Sequence, residues 1–137
     1  MAPEQDTAQL EKAASIMLQS RTVVAFTGAG ISVSSGIPDF RSPGGLWSKY
    51  DPFEVASAHA LEHNPRKVWE FMLDTVDLLG RSQPNPAHIA LAELEKNNRL
   101  SGVITQNIDN LHQRAGSRVV IEYHGNFQRF YCQTCLQ

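Results

Sequence analysis

Apolar side chains recur at helical spacing over residues 7–20, where Leu10, Ala13, Ala14, Met17 and Leu18 share a face and Asp6 is the expected N-cap. A β-branched apolar run follows and predicts a first strand over 22–26. From Gly28 to Asp51 no period survives. That stretch of Gly, Ser and Pro is too long for a plain connector, so a functional loop is expected there. Two helices then share one start signal, Asn followed by Pro. Asn64-Pro65 opens a helix through about Leu79, with Val68, Phe71, Met72, Val76 and Leu79 on its apolar side. Asn85-Pro86 opens another through Glu95. A second strand over 101–105 leads into the polar turn Gln106–Asn110, a short helix toward Gly116 and a third strand over 119–122.

Strand, helices, strand, helix, strand is the order of a parallel α/β sheet. Ligands of such sheets bind beyond the carboxyl ends of the strands. Three polar motifs, at Gly28, Gln106 and His124, each come just after a strand. One shared site is therefore expected.

Composition narrows the class. With 137 residues, 42% hydrophobic and 19% charged, the chain has the make-up of one globular domain able to bury a core. A formal charge of −2 gives no electrostatic case for binding nucleic acid. No apolar run is long enough to cross a membrane, and the acidic start Met1–Asp6 lacks a signal-peptide core, so a cytoplasmic location is the default expectation. The two cysteines stand close together as Cys132-x-x-Cys135, the spacing of half a zinc site or of a redox pair. A structural zinc needs four ligands; no second pair follows and no His lies close in sequence, so the chain reads as incomplete at that point.

The candidate chemistry sits in the three motifs. Gly28 and Gly30 would let a pyrophosphate approach bare backbone N–H groups, with Ser32 adding a hydroxyl; an ordinary tight turn is the alternative. Val33 stands where the usual dinucleotide fingerprint has its third glycine, so the pair alone is a weak signal. Arg41 could pair with a phosphate through its fork of donors, or simply be solvated. Gln106, Asn107 and Asp109 offer groups suited to ribose hydroxyls and a carboxamide, and equally to capping the helix that follows. His124, at a strand end and ahead of a glycine, is the candidate general base, able to take a proton from a sugar hydroxyl. His112 could be packing, and His59, His63 and His88 read as surface or helix residues.

Taken together these strings are far more specific than any one of them. Gly28-Ala29-Gly30-x-Ser32, Gly36–Arg41, Thr105–His112, Glu122–Gly125 and Cys132-x-x-Cys135 resemble, in order and spacing, the motifs of the sirtuins, NAD-dependent protein-lysine deacylases. Gly45-Leu46-Trp47 and Pro84-Asn85-x-x-His88 look like family positions too, and the resemblance runs from about Leu10 to the end. It implies a Rossmann-like α/β fold, with a parallel sheet over about 7–127 and the start of a small zinc-binding module over about 128–137. It also implies a reaction that consumes NAD. The acyl oxygen of an acylated lysine attacks the ribose carbon as nicotinamide leaves, giving an alkylimidate; His124 deprotonates a ribose hydroxyl, which attacks the imidate carbon, and the products are free lysine and O-acyl-ADP-ribose. By the same resemblance Ile37, Asp39, Asn107, Ile108 and Asp109 line the nicotinamide pocket, Phe40 guards the reactive carbon and Gln106 holds the ribose. Ala29, Gly30, Ser32 and Arg41 serve the phosphates, while Cys132 and Cys135 supply two of four zinc ligands.

Sirtuins that prefer acidic acyl groups resemble one another in a Tyr-x-x-Arg pair; Met72 and Thr75 stand at those positions here, beside Asp74, so acetyl or longer apolar acyl groups are expected. The expected partner is an acyl-lysine protein or peptide, with neither nucleic acid nor membrane. Because the family continues past its first cysteine pair, a catalytically weak or inactive NAD- or ADP-ribose-binding module stands as one alternative. NAD-dependent ADP-ribosyl transfer is another, and a two-cysteine redox protein a third.

Overall fold

The computed structural model describes residues 4–40, 42–132 and 134–135. Its elements in chain order are α1 (Glu4–Gln19), β1 (Val24–Thr27), α2 (Pro52–Val55), α3 (Ala58–His63), α4 (Pro65–Arg81), α5 (Pro86–Lys96), β2 (Gly102–Thr105), α6 (Leu111–Ala115) and β3 (Val120–Glu122). Two 3₁₀ turns, Ala29–Ser35 and Leu46–Ser48, give shape to the loop after β1.

The three strands form one parallel sheet in the order β1-β2-β3, with Val24 beside Gly102 and Val103 beside Val120. Parallel neighbours require crossovers. Helices α2–α5 make the first and α6 the second. The central strand β2 is the most enclosed, with Gly102, Val103 and Thr105 buried, while β1 and β3 leave Val24, Phe26 and Ile121 exposed. Helix α1 exposes Leu10, Ile16 and Leu18. No helix among the described residues is long and apolar enough to cross a membrane.

The helix starts follow the chemistry of their first residues. Asn64 Oδ1 accepts the Lys67 N–H at 3.5 Å, and Asn85 Oδ1 accepts the Ala87 N–H at 2.9 Å, each ahead of a proline in the first turn. Asp6 does not cap α1, which already runs from Glu4. Helices α2 and α3, not anticipated, are short and held by side-chain caps, Asp51 on the Phe53 N–H and Ser57 on the Ala60 N–H. On α4 the inward positions are Val68, Thr75 and Leu79, whereas Val76 is exposed. Ile37, Leu79 and Leu111 form a buried cluster with Ile108 and Phe127 packed against it. That cluster places the loop after β1, the far half of α4 and the turn after β2 around one point.

Candidate functional site

The point where these segments meet is a cavity of about 370 Å³ beyond the carboxyl ends of the strands. Its size lies within the roughly 300–1,000 Å³ typical of small-molecule sites. Each strand contributes through the loop that follows it: Ala29 and Ser32 after β1, Gln106–Asp109 after β2, and His124 after β3. Helix α4 supplies the apolar wall with Phe71, Thr75, Leu78 and Leu79. An adjoining cavity of about 420 Å³ is lined by Asp39 and by residues that all face the first as well, His124 among them.

A buried polar network fixes the floor. Asn107 donates from Nδ2 to the Gly28 carbonyl at 3.1 Å and to Ser32 Oγ at 3.0 Å. Ser32 Oγ donates in turn to Asp109 Oδ2 at 2.6 Å, and Asp109 Oδ1 accepts the Leu111 N–H at 2.9 Å. Ser32, Asn107 and Asp109 are all buried, so these bonds tie the loop after β1 to the turn after β2 where water cannot compete. Asp109 accepts the Leu111 N–H ahead of α6, whose N-cap Asn110 makes no side-chain cap bond, and lines the cavity at once. The hydroxyl proton of Ser32, expected to serve a phosphate, is committed to Asp109 instead.

Around the rim, Asp39 accepts the Ser42 N–H at 2.8 Å and Ser42 Oγ at 2.5 Å, closing the loop that presents Phe40. The Phe40 and Trp47 rings lie 5.1 Å apart, and Trp47 stacks on Phe71 at 6.2 Å. Gly45 is required by this packing, since a Cβ there would come within 2.5 Å of the Asp39 carbonyl oxygen. Gly28 and Gly30 differ from it. Neither has a left-handed φ, and a Cβ at either would meet nothing within 4 Å. The fold itself does not demand glycine at these two positions. The open space beside them suits a ligand that approaches backbone, as a pyrophosphate does. Neither Gly28 nor Gly30 lines either cavity, though Ala29 between them lines both, and Arg41 lies outside the described residues.

His124 is exposed, beside the Tyr123 ring at 5.2 Å, with its imidazole open to both cavities. Two other histidines are buried. His88, read as a surface or helix residue, lies on α5 and is fully enclosed: its Nδ1 accepts the Asn85 N–H at 3.3 Å, completing a reciprocal cap. The local signal was the spacing Asn85-x-x-His88, which puts the imidazole back over the N-cap. His112 packs edge-on against it, with ring centroids 4.8 Å apart and Nε2 2.9 Å from Thr27 Oγ1. Burial pushes the His88 pKa down, and for His112 burial and the neighbouring His88 bring it to about 4. Both rings are neutral at pH 7.

Cys132 and Cys135 are exposed free thiols. Hydrogen bonds from the backbone N–H groups of Cys135 and Thr134 lower the Cys132 thiol to about 7, which favours a thiolate able to bind metal. Among the described residues no group of three or more His, Cys, Asp and Glu side chains converges. Two sulfurs do not complete a structural zinc site. Of the lining residues, Thr75 was singled out only for acyl preference, and Phe71, Leu78 and Phe127 were not singled out for the site; Phe71 and Leu78 carried the helical spacing of α4, and Phe127 carried no local signal.

A parallel sheet with its ligand cavity beyond the strand ends defines a Rossmann-like α/β fold. Residues 28–137 match the Sir2 family, and the chain belongs to that family. It is 54% identical over 127 residues to the NAD-dependent protein deacylase 2 of Archaeoglobus fulgidus, covering 93% of this chain and 50% of that protein. It is 56% identical to the NAD-dependent protein deacetylase of Caldivirga maquilingensis, covering 90% of this chain and 48% of that one. Among solved structures, a Sir2 homolog–NAD complex superposes with a TM-score of 0.85 at 45% identity, covering 93% of this chain and 50% of the other. The chain thus spans about half the length of the relatives it matches.

Proposed function

We propose that this chain carries the nicotinamide and ribose side of an NAD-dependent protein-lysine deacylase. The observation that supports this most is the convergence of three post-strand loops on one cavity, with an open imidazole at its rim and a fixed polar floor. The relatives are named NAD-dependent protein deacetylases and deacylases. One neighbouring structure, at TM-score 0.88 and 41% identity over 93% of this chain, holds a deacetylated p53 peptide with 3'-O-acetyl ADP ribose.

NAD supplies an electrophilic ribose carbon and nicotinamide as leaving group. Asn107, Asp109, Ile37 and Ile108 would enclose the nicotinamide, with the Ser32 bonds holding both polar side chains in place. Phe40, backed by Trp47, would cover the reacting carbon and exclude water from it. Gln106 would meet the ribose, and the open backbone at Gly28 and Gly30, with Ala29 and Arg41, the phosphates. His124 would accept the proton of a ribose hydroxyl, a role an imidazole at a solvent-accessible rim can fill. Cys132 and Cys135 would give two of four zinc ligands, which divides the chain into a Rossmann-like part over about 7–127 and the start of a zinc module over about 128–137. Two free thiols fit the reducing cytoplasm.

The acyl-lysine substrate would enter beside α4. Among the described residues no Lys or Arg lines the main cavity, and the nearby Asp74 carboxylate accepts the Tyr50 hydroxyl at 2.7 Å. No described Lys or Arg there would pair with an acidic acyl group, so an acetylated peptide should turn over faster than its succinylated counterpart. Faster succinyl turnover in a side-by-side assay would overturn the acyl assignment. Product analysis separates deacylation from ADP-ribosyl transfer, because the first yields O-acyl-ADP-ribose and the second leaves ADP-ribose on protein.

A further inference from the structure

We propose that Glu122 is a positioning residue for His124, an inference that rests on reading His124 as the base. β3 ends at Glu122, whose side chain is only 10% exposed although the next three residues are exposed. Its carboxylate accepts from Gln113 Nε2 on α6 at 2.6 Å, from Asn126 Nδ2 and from the Arg129 guanidinium. One donor comes from the helix behind the strand and two from the chain beyond His124. Tyr123, His124 and Gly125 therefore form an arc with both ends tied to one carboxylate.

Further bonds keep the arc from swinging. The Gly125 N–H donates to the Glu122 carbonyl at 3.2 Å, and Gly125 holds φ at +84°, where a side chain would be strained. Asn126 Nδ2 also reaches Asn110 Oδ1 at 3.1 Å, and the Phe127 N–H donates to the Ile108 carbonyl at 3.1 Å, next to the cavity wall. The His124 imidazole itself makes no hydrogen bond to a described residue, so its place over the cavity depends on the backbone that carries it. A carboxylate can accept several donors at once, and charge-assisted bonds to Arg are among the stronger ones. Without Glu122 the Gln113, Asn126 and Arg129 donors lose their common anchor and His124 becomes free to move. A misplacement of about 1 Å at a reacting group can cost on the order of 10²-fold in rate.

The test uses Glu122→Ala and Glu122→Gln in the full-length protein, with three readouts. These are thermal unfolding, exchange of labelled nicotinamide into NAD in the presence of acetylated peptide, and formation of O-acetyl-ADP-ribose. Exchange reports steps before His124 acts, and product formation reports the step that needs it. The expected result is a loss of product formation of about 10²-fold in Glu122→Ala, with exchange and the KM for NAD little changed. Glu122→Gln, which keeps one acceptor oxygen, should recover part of the loss. Parallel loss of both activities, or loss of neither, would overturn the proposal. If Glu122→Ala fails to fold, Arg129→Gln removes one arm of the anchor and should show the same split in smaller measure. If the unaltered protein shows no exchange at all, the deacylase reading fails instead. The His124 imidazole NMR signal then decides positioning separately: a shift toward the unfolded-chain value in Glu122→Ala supports it, and an unmoved signal refutes it.

Discussion

Acidification should destabilise this chain through His112. In the fold its imidazole is 1% exposed, edge-on to His88, and its pKa is about 4 against an ordinary 6.5. The depression comes first from burial, then from His88, and is partly opposed by the Asp109 carboxylate. A histidine whose folded pKa is lowered binds more protons in the unfolded chain between the two values. Stability is therefore full above pH 6.5 and falls as the pH drops toward 4. For this one group the linkage relation gives a loss of about 2 kcal/mol by pH 5 and roughly 3 kcal/mol by pH 4. His88, shifted the same way, adds to the trend. Against a total stability of ~5–15 kcal/mol the effect is easily measured. Urea unfolding curves at pH 7 and pH 5 for the unaltered protein and for His112→Gln are the assay. The variant should be less stable at pH 7, because it breaks the contact to Thr27, yet lose less stability between pH 7 and 5. Equal losses over that interval would refute the burial argument, since every other titrating group is common to both proteins.

Three further outcomes are expected. Ser32→Ala removes the donor to buried Asp109 and the acceptor for Asn107, and should cost ~1–3 kcal/mol in a denaturant titration; an unchanged midpoint would show that the floor is not held by this network. Gly45→Ala should lower the melting temperature, because its Cβ would clash with Asp39 at 2.5 Å, whereas Gly28→Ala should melt within about 0.5 kcal/mol of the parent and weaken ADP-ribose binding in calorimetry. Tight ADP-ribose binding by Gly28→Ala would contradict the placement of the phosphates. In metal-free protein, Cys132 should be alkylated ahead of Cys135 at neutral pH with a midpoint of about 7, and a midpoint at the ordinary 9.0 would contradict the lowered pKa.

Much of this architecture could be read before any coordinates, for reasons that differ by element. Helices α4 and α5 were legible because the Asn-Pro signal acts within one turn and needs no tertiary partner. β2 was legible because its inner positions Val103 and Ile104 are β-branched and apolar, and a polar turn follows the strand. Helices α2 and α3 were not, since four and six residues hold too little periodicity to register and their caps, Asp51 and Ser57, look like any polar loop residue. Asp6 had the right chemistry for a cap in a helix that begins earlier. At the site, motif spacing brought the three loops to one place, but it could not show which partner each polar side chain takes. Ser32 turned out to bond Asp109, a residue far away in sequence, and His88 turned inward over its own helix start. The first depends on packing between the loop after β1 and the turn after β2, which local sequence does not encode, whereas the second follows from the capping spacing Asn85-x-x-His88.

The most direct measurement is the product balance of the full-length protein given NAD and an acetylated lysine peptide, read by mass spectrometry, with His124→Ala in parallel. If His124 is the base of a deacylase, nicotinamide, free-lysine peptide and O-acetyl-ADP-ribose appear one for one, and O-acetyl-ADP-ribose is absent from His124→Ala. Nicotinamide release without the peptide, ADP-ribose attached to protein, or undiminished product from His124→Ala would contradict that assignment.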